Sequence, residues 1–103
     1  MRKRAGWMQQ LDERILEHIH EEEWASPKTM VRVEELRGSL PRISERCEWM
    51  HRAGLIAPLY RGADAYELTS EGLLYLRGSL DAENLTDPRG VEQTIQRRRW
   101  VCF

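Results

Sequence analysis

Residues 39–54 read SLPRISERCEWMHRAG, and this stretch decides the fold. Ser39 can cap a helix, Pro41 fits a first helical turn, and Gly54 suits the left-handed residue beyond a helix end. Between them Leu40, Ile43, Cys47 and Met50 recur at three and four residues and predict one apolar face. Arg42, Ser44, Glu45, Arg46, Trp49 and Arg52 are left to point away from it. The chain continues as LIAPLYRGADAYELT: an apolar strand-length run from Leu55 to Tyr60, a turn at Arg61–Asp64 and an alternating return strand, Ala65–Leu68. Pro58 gives no amide to a ladder and places the first strand at an edge. A helix with one free side running into a hairpin predicts a recognition helix followed by a wing.

Upstream, Met8, Leu11, Ile15, Leu16 and Ile19 predict an amphipathic helix over residues 9–23. Asp12, Glu13, Glu17 and Glu21–Glu23 are assigned to its outer face, which makes it a poor surface to lay on DNA. Ser26-Pro27 opens a second helix with Met30, Val33 and Leu36 inward, and Gly38 breaks it from the Ser39 helix. Two helices joined by a short glycine-bearing turn form a helix-turn-helix pattern, and the hairpin completes a winged helix. Downstream, a fourth helix starts at Thr69 with Leu73, Leu76 and Leu80 as its core face. The expected class is α+β, mainly α: a three-helix core, a β-hairpin wing and an additional C-terminal helix. The expected division is a basic arm over 1–8, the winged helix-turn-helix domain over 9–85, and a tail over 86–103 that could serve in dimerisation.

The 103 residues carry a formal net charge of −1, distributed unevenly. Arg2, Lys3 and Arg4 make the start basic, Arg97–Arg99 the end, and residues 11–25 are strongly acidic. Of 16 basic residues only Lys3 and Lys28 are lysine, a bias that suits bidentate phosphate and guanine contacts and equally a GC-rich or salt-adapted host. No apolar run is long enough to span a membrane and no leader pattern is present, so a cytoplasmic protein is expected. Cys47 and Cys102 make no disulfide framework, and Cys47 on the apolar face predicts a buried thiol. Cys47 with His51, or His18 with His20, lacks the second ligand pair a metal site needs. There is no phosphate loop, HExxH or nucleophile elbow. The reading is no enzyme, no cofactor, no metal and no evident small-molecule ligand.

MRKRAGWM entering the first helix, GLI at the hairpin, YELTSEG into the last helix and YLRGSLDAENL leaving it resemble the haloarchaeal phage phi-H repressor-like winged-helix family, over about residues 1–85. The resemblance implies a haloarchaeal host, DNA binding by the Ser39 helix and the wing, and transcriptional repression. Glu45 and Glu48 depart from the basic helix expected of such relatives, although a carboxylate can accept from a cytosine amino group. The expected contacts with double-stranded DNA are Arg42 and Arg46 at base edges, Ser39 and Ser44 at phosphate or base edges, and Glu45 on the same face. Arg61 on the wing, with Arg2, Lys3 and Arg4, is expected on the backbone or minor groove. A single winged helix has a short footprint, so a homodimer on an inverted repeat is expected. The rival expectation is a winged helix that binds a protein partner through its wing or an exposed Trp49.

Overall fold

The computed structural model describes residues 2–85, 87 and 88. Its elements are α1 (Gln10–Glu22), α2 (Pro27–Met30), a 3-10 turn at Glu34–Leu36, α3 (Leu40–Arg52), β1 (Ile56–Pro58), β2 (Tyr66–Leu68), α4 (Ser70–Leu76) and a second 3-10 turn at Ala82–Asn84. The order is that of a mainly helical winged helix with an antiparallel hairpin.

Helix α3 begins as its sequence requires, with Ser39 Oγ accepting the Arg42 amide at 3.3 Å. It ends at Arg52, and Gly54 turns the chain at φ +88°. Its buried stripe, however, is Ile43, Arg46, Cys47 and Met50, while Leu40 stays 40% exposed. Those four follow the i, i+3, i+4, i+7 rule of one helical face, and Arg46 occupies the place expected of an apolar residue. Helix α1 buries Leu11, Ile15, Leu16 and Ile19 as expected, but it also buries Asp12, assigned above to its outer face.

The second helix is shorter than expected. Ser26 and Thr29 cap each other reciprocally, Ser26 Oγ accepting the Thr29 amide at 3.2 Å and Thr29 Oγ1 the Ser26 amide at 3.1 Å. The helix stops at Met30: Val31 keeps helical dihedrals as its C-cap, and Val33, a β-branched residue, takes extended backbone at φ −85°, ψ 110°. Met30 and Leu36 still reach the core, and Val33 packs at its margin.

The hairpin pairs Ile56 with Leu68, Ala57 with Glu67 and Pro58 with Tyr66. Ala25 exchanges two backbone hydrogen bonds with Tyr66, at 3.1 and 2.8 Å, so β2 lies between this single rung and β1. That leaves β1 at an edge, where the amide that Pro58 lacks is not needed. The wing turns where the Ala63 amide bonds the Tyr60 carbonyl at 2.9 Å, with Gly62 at φ +85°.

Helix α4 is anchored by Thr69, whose hydroxyl accepts the Gly72 amide at 3.0 Å and donates to the Gly54 carbonyl at 2.6 Å. Gly72 lies so close to the Leu55 carbonyl that a Cβ there would collide with it. Tyr75, rather than a row of leucines, is the fully buried residue of this helix, and its hydroxyl donates to Glu13 Oε1 at 2.7 Å. Leu73 and Leu76 are only half-buried, and Leu80 falls outside a helix that stops at Leu76 ahead of Gly78, φ +78°.

The start of the chain is part of the domain. Ala5, Trp7 and Met8 are buried with the core, and the Ala82 amide bonds the Lys3 carbonyl at 3.1 Å. An arm over 1–8 separate from a domain starting at 9 is therefore corrected: burying Trp7 and Met8 binds that segment to α1 and α3. Apart from Asp87 and Pro88, the tail expected over 86–103 lies outside the described residues. Among the described residues no helix is long and apolar enough to cross a membrane.

Candidate nucleic-acid interface

The outer surface of α3 presents Arg42, Ser44, Glu45 and Glu48, all exposed, with Arg52 half-exposed. Two arginines thus face two glutamates, and Arg52 Nε lies 3.5 Å from Glu48 Oε1 one turn away. The face is polar and balanced in charge rather than strongly positive. Ser39 is exposed at its N-terminal end, where its hydroxyl already serves as the cap. Arg42 is exposed and directed, its Nη2 donating to Gln9 Oε1 at 2.6 Å. Arg61 lies exposed on the wing beside Tyr60, which at 70% is the most exposed large apolar side chain described. Lys28 and Arg32 are exposed on and just beyond α2, which packs against α3.

Arg46 is not on this surface, and its expected place at a base edge is withdrawn. Its side chain is 3% exposed and grips Asp12, itself fully buried, with Nε to Oδ1 at 2.7 Å and Nη2 to Oδ2 at 2.6 Å. Nη2 also donates to the Trp7 carbonyl at 3.1 Å. The guanidinium carbon lies 4.8 Å from the ring centre of Trp49 and 5.9 Å from that of Trp7, the two rings being 6.2 Å apart. A charge buried this deeply persists only when paired and hydrogen-bonded, and here it is both. Trp49, expected exposed, is half-covered by the same cluster.

The basic start of the chain is also engaged. Arg2 Nε donates to the Leu76 carbonyl at 2.9 Å and its Nη2 lies 3.5 Å from Glu17. Lys3 lies 3.8 Å from Asp81, and Arg4 3.5 Å from Glu13. These cations are matched by carboxylates of α1 and of the chain beyond α4, so the free arm expected on a nucleic-acid backbone is replaced by a strap along the domain.

The crystal structure of the PhiH1 repressor-like protein from Haloarcula marismortui is similar to this chain with a TM-score of 0.78 and 38% identity, over 84% of this chain and 97% of that one. The chain belongs to the PhiH1 repressor-like family. No protein-family model and no curated protein matches it.

Within this PhiH1 repressor-like fold, sequence reasoning missed Gln9, Asp12 and Trp7 as partners of α3. A signal existed: Gln9 and Asp12 stand at the N-cap and third positions of α1, and the Gln9 amide donates to Asp12 Oδ2 at 3.0 Å. The thiol of Cys47 is free, as expected, and buried. Burial, then the charges of Asp12 and Glu48, push its pKa up to about 12, which leaves it a protonated, inert core group. Among the described residues no cluster of His, Cys, Asp or Glu could hold a metal ion.

Proposed function

We propose that this chain is a sequence-specific DNA-binding transcriptional regulator of the repressor type, acting in the cytoplasm of a haloarchaeon as a homodimer. Membership of the PhiH1 repressor-like family carries this reading, and the polar outer face of α3, where Arg42, Ser44, Glu45 and Glu48 are exposed, supports it. In this reading α3 enters the major groove. Arg42 reads a base edge, Ser39 and Ser44 bond phosphate or base edges, and Glu45 accepts from a cytosine amino group. Arg61 on the wing contacts the backbone or minor groove, and Lys28 and Arg32 supply the phosphate contacts first assigned to the start of the chain.

Binding to a pool of fluorescent host-genome fragments tests this. Affinity should fall steeply with rising salt as counterions are released. Arg42→Ala should lose about 1–3 kcal/mol on the preferred fragments and flatten the preference, whereas Arg61→Ala should weaken all fragments alike. Inverted half-sites about one helical turn apart in the preferred fragments are the signature of a symmetric dimer. Absence of binding at low salt would favour a winged helix that docks on a protein. The charge-balanced α3 face and the exposed Tyr60 and Trp24 are the observations on the side of that second reading.

A further inference from the structure

We propose that Gln9 is a positioning residue for Arg42: the first turn of α1 holds the guanidinium of α3 in its binding orientation before any duplex arrives. This inference rests on the DNA-binding reading above. Gln9 is itself held. Its backbone N–H donates to Asp12 Oδ2 at 3.0 Å, and the same carboxylate is locked by both bonds from the buried Arg46. Arg42 lies one helical turn before Arg46 on α3 and therefore rises beside the same end of α1. From that fixed backbone the Gln9 side chain accepts Arg42 Nη2 at 2.6 Å, a contact that bridges 33 residues of sequence. The contact uses one of the two Nη2 hydrogens, and the other, paired with Nε or with Nη1, keeps a two-donor edge for a base.

An exposed arginine otherwise samples many rotamers, and that freedom must be lost on binding. The buried Asp12–Arg46 pair therefore acts at the surface through Gln9. It sets the first turn of α1 against α3, and Gln9 passes that register to the one arginine assigned to base reading. No phosphate contact is involved, so the effect belongs to sequence preference rather than to overall affinity.

A double-mutant cycle on the full chain tests this, with preferred and random duplexes measured by fluorescence anisotropy. Gln9→Ala retains the amide bond to Asp12 and should reduce the preferred-to-random affinity ratio about two- to tenfold, as expected for releasing one long side chain, with an unchanged salt slope. In an Arg42→Ala background the same change should have no further effect, because Gln9 acts only through Arg42. Gln9→Glu, which keeps an acceptor for the guanidinium, should restore the ratio. An unaltered ratio in Gln9→Ala, or equal losses with and without Arg42, would overturn the proposal. Wild-type protein without any sequence preference would overturn the DNA reading on which it stands.

Discussion

Arg46 and Asp12 show how much one pair of side chains can decide. Both are out of water, and among the described residues no buried side-chain nitrogen or oxygen lacks a partner. Removing one member strands the other, so Arg46→Ala or Asp12→Ala should cost about 3–5 kcal/mol, a large part of the stability of a small domain. Replacing both at once by apolar residues of similar volume, Asp12→Leu with Arg46→Met, should be far milder than either single truncation. Urea unfolding of the three variants checks this. A single variant that unfolds at the wild-type midpoint would mean the pair is solvated and Arg46 is available to a ligand after all. The same residues explain why the assignment of Arg46 to DNA fails. Arginine is usually read as a surface residue, and only a carboxylate 34 positions away made the inward place tenable.

At the scale of elements, the junction of α3, the wing and α4 turns on the sequence YELTSEG. Thr69 caps α4, bonds the carbonyl before β1, and brings Gly72 against the Leu55 carbonyl. A methyl group at Gly72 has nowhere to go except into the backbone, so Gly72→Ala should destabilise by about 1–3 kcal/mol or more and loosen the wing. Gly6 meets nothing within 4 Å on adding a Cβ, so Gly6→Ala should be tolerated. Thermal unfolding of the two variants makes the comparison, and equal midpoints would contradict the close packing. The short motif was legible in the sequence as a helix start. Its glycine was not explained by local pattern, because the obstructing carbonyl belongs to a residue 17 positions earlier.

Over the whole molecule, ionisable groups folded into the core link stability to alkaline pH. Burial raises the pKa of Cys47 from 9.0 to about 12, and those of Tyr75 and Tyr66 above the usual phenol value. For Tyr75 the bond to Glu13 adds to burial, and for Tyr66 the charges of Cys47 and Glu48 do. Each group is neutral in the fold at a pH where the unfolded chain ionises it. Their stabilisation is complete below pH 9.0, the unfolded value for the thiol, and declines as pH rises toward about 12. Cys47 alone should contribute a loss of about 1.4 kcal/mol per pH unit across that window. Urea midpoints should hold from about pH 8 to about pH 9 and fall from there to about pH 11, and Cys47→Ala should flatten part of that slope. Midpoints constant over that range would show that the thiol reaches water.

What the sequence by itself determined is what local physics writes into neighbouring residues. The caps at Ser26 and Ser39, the helix start at Thr69, the stripe of α1, the inward Ile43, Cys47 and Met50 of α3, the turn at Gly62 and the edge strand marked by Pro58 all depend on spacings of a few residues. The fold class and its order followed from them, as did a polar outer face on α3 next to a wing. Tertiary structure alone decided which polar residues are surface. Arg46 and Asp12 read as outward because they are charged, although period 3.6 also allows them the inward places they take, and whether a charge can stay there depends on a partner brought in from another element. The same holds for Arg2, Lys3 and Arg4. They read as a free basic arm until the burial of Trp7 and Met8 lays them against Glu17, Asp81 and Glu13. Helix starts are decided by neighbours in the chain, and the fate of a charge by neighbours in space.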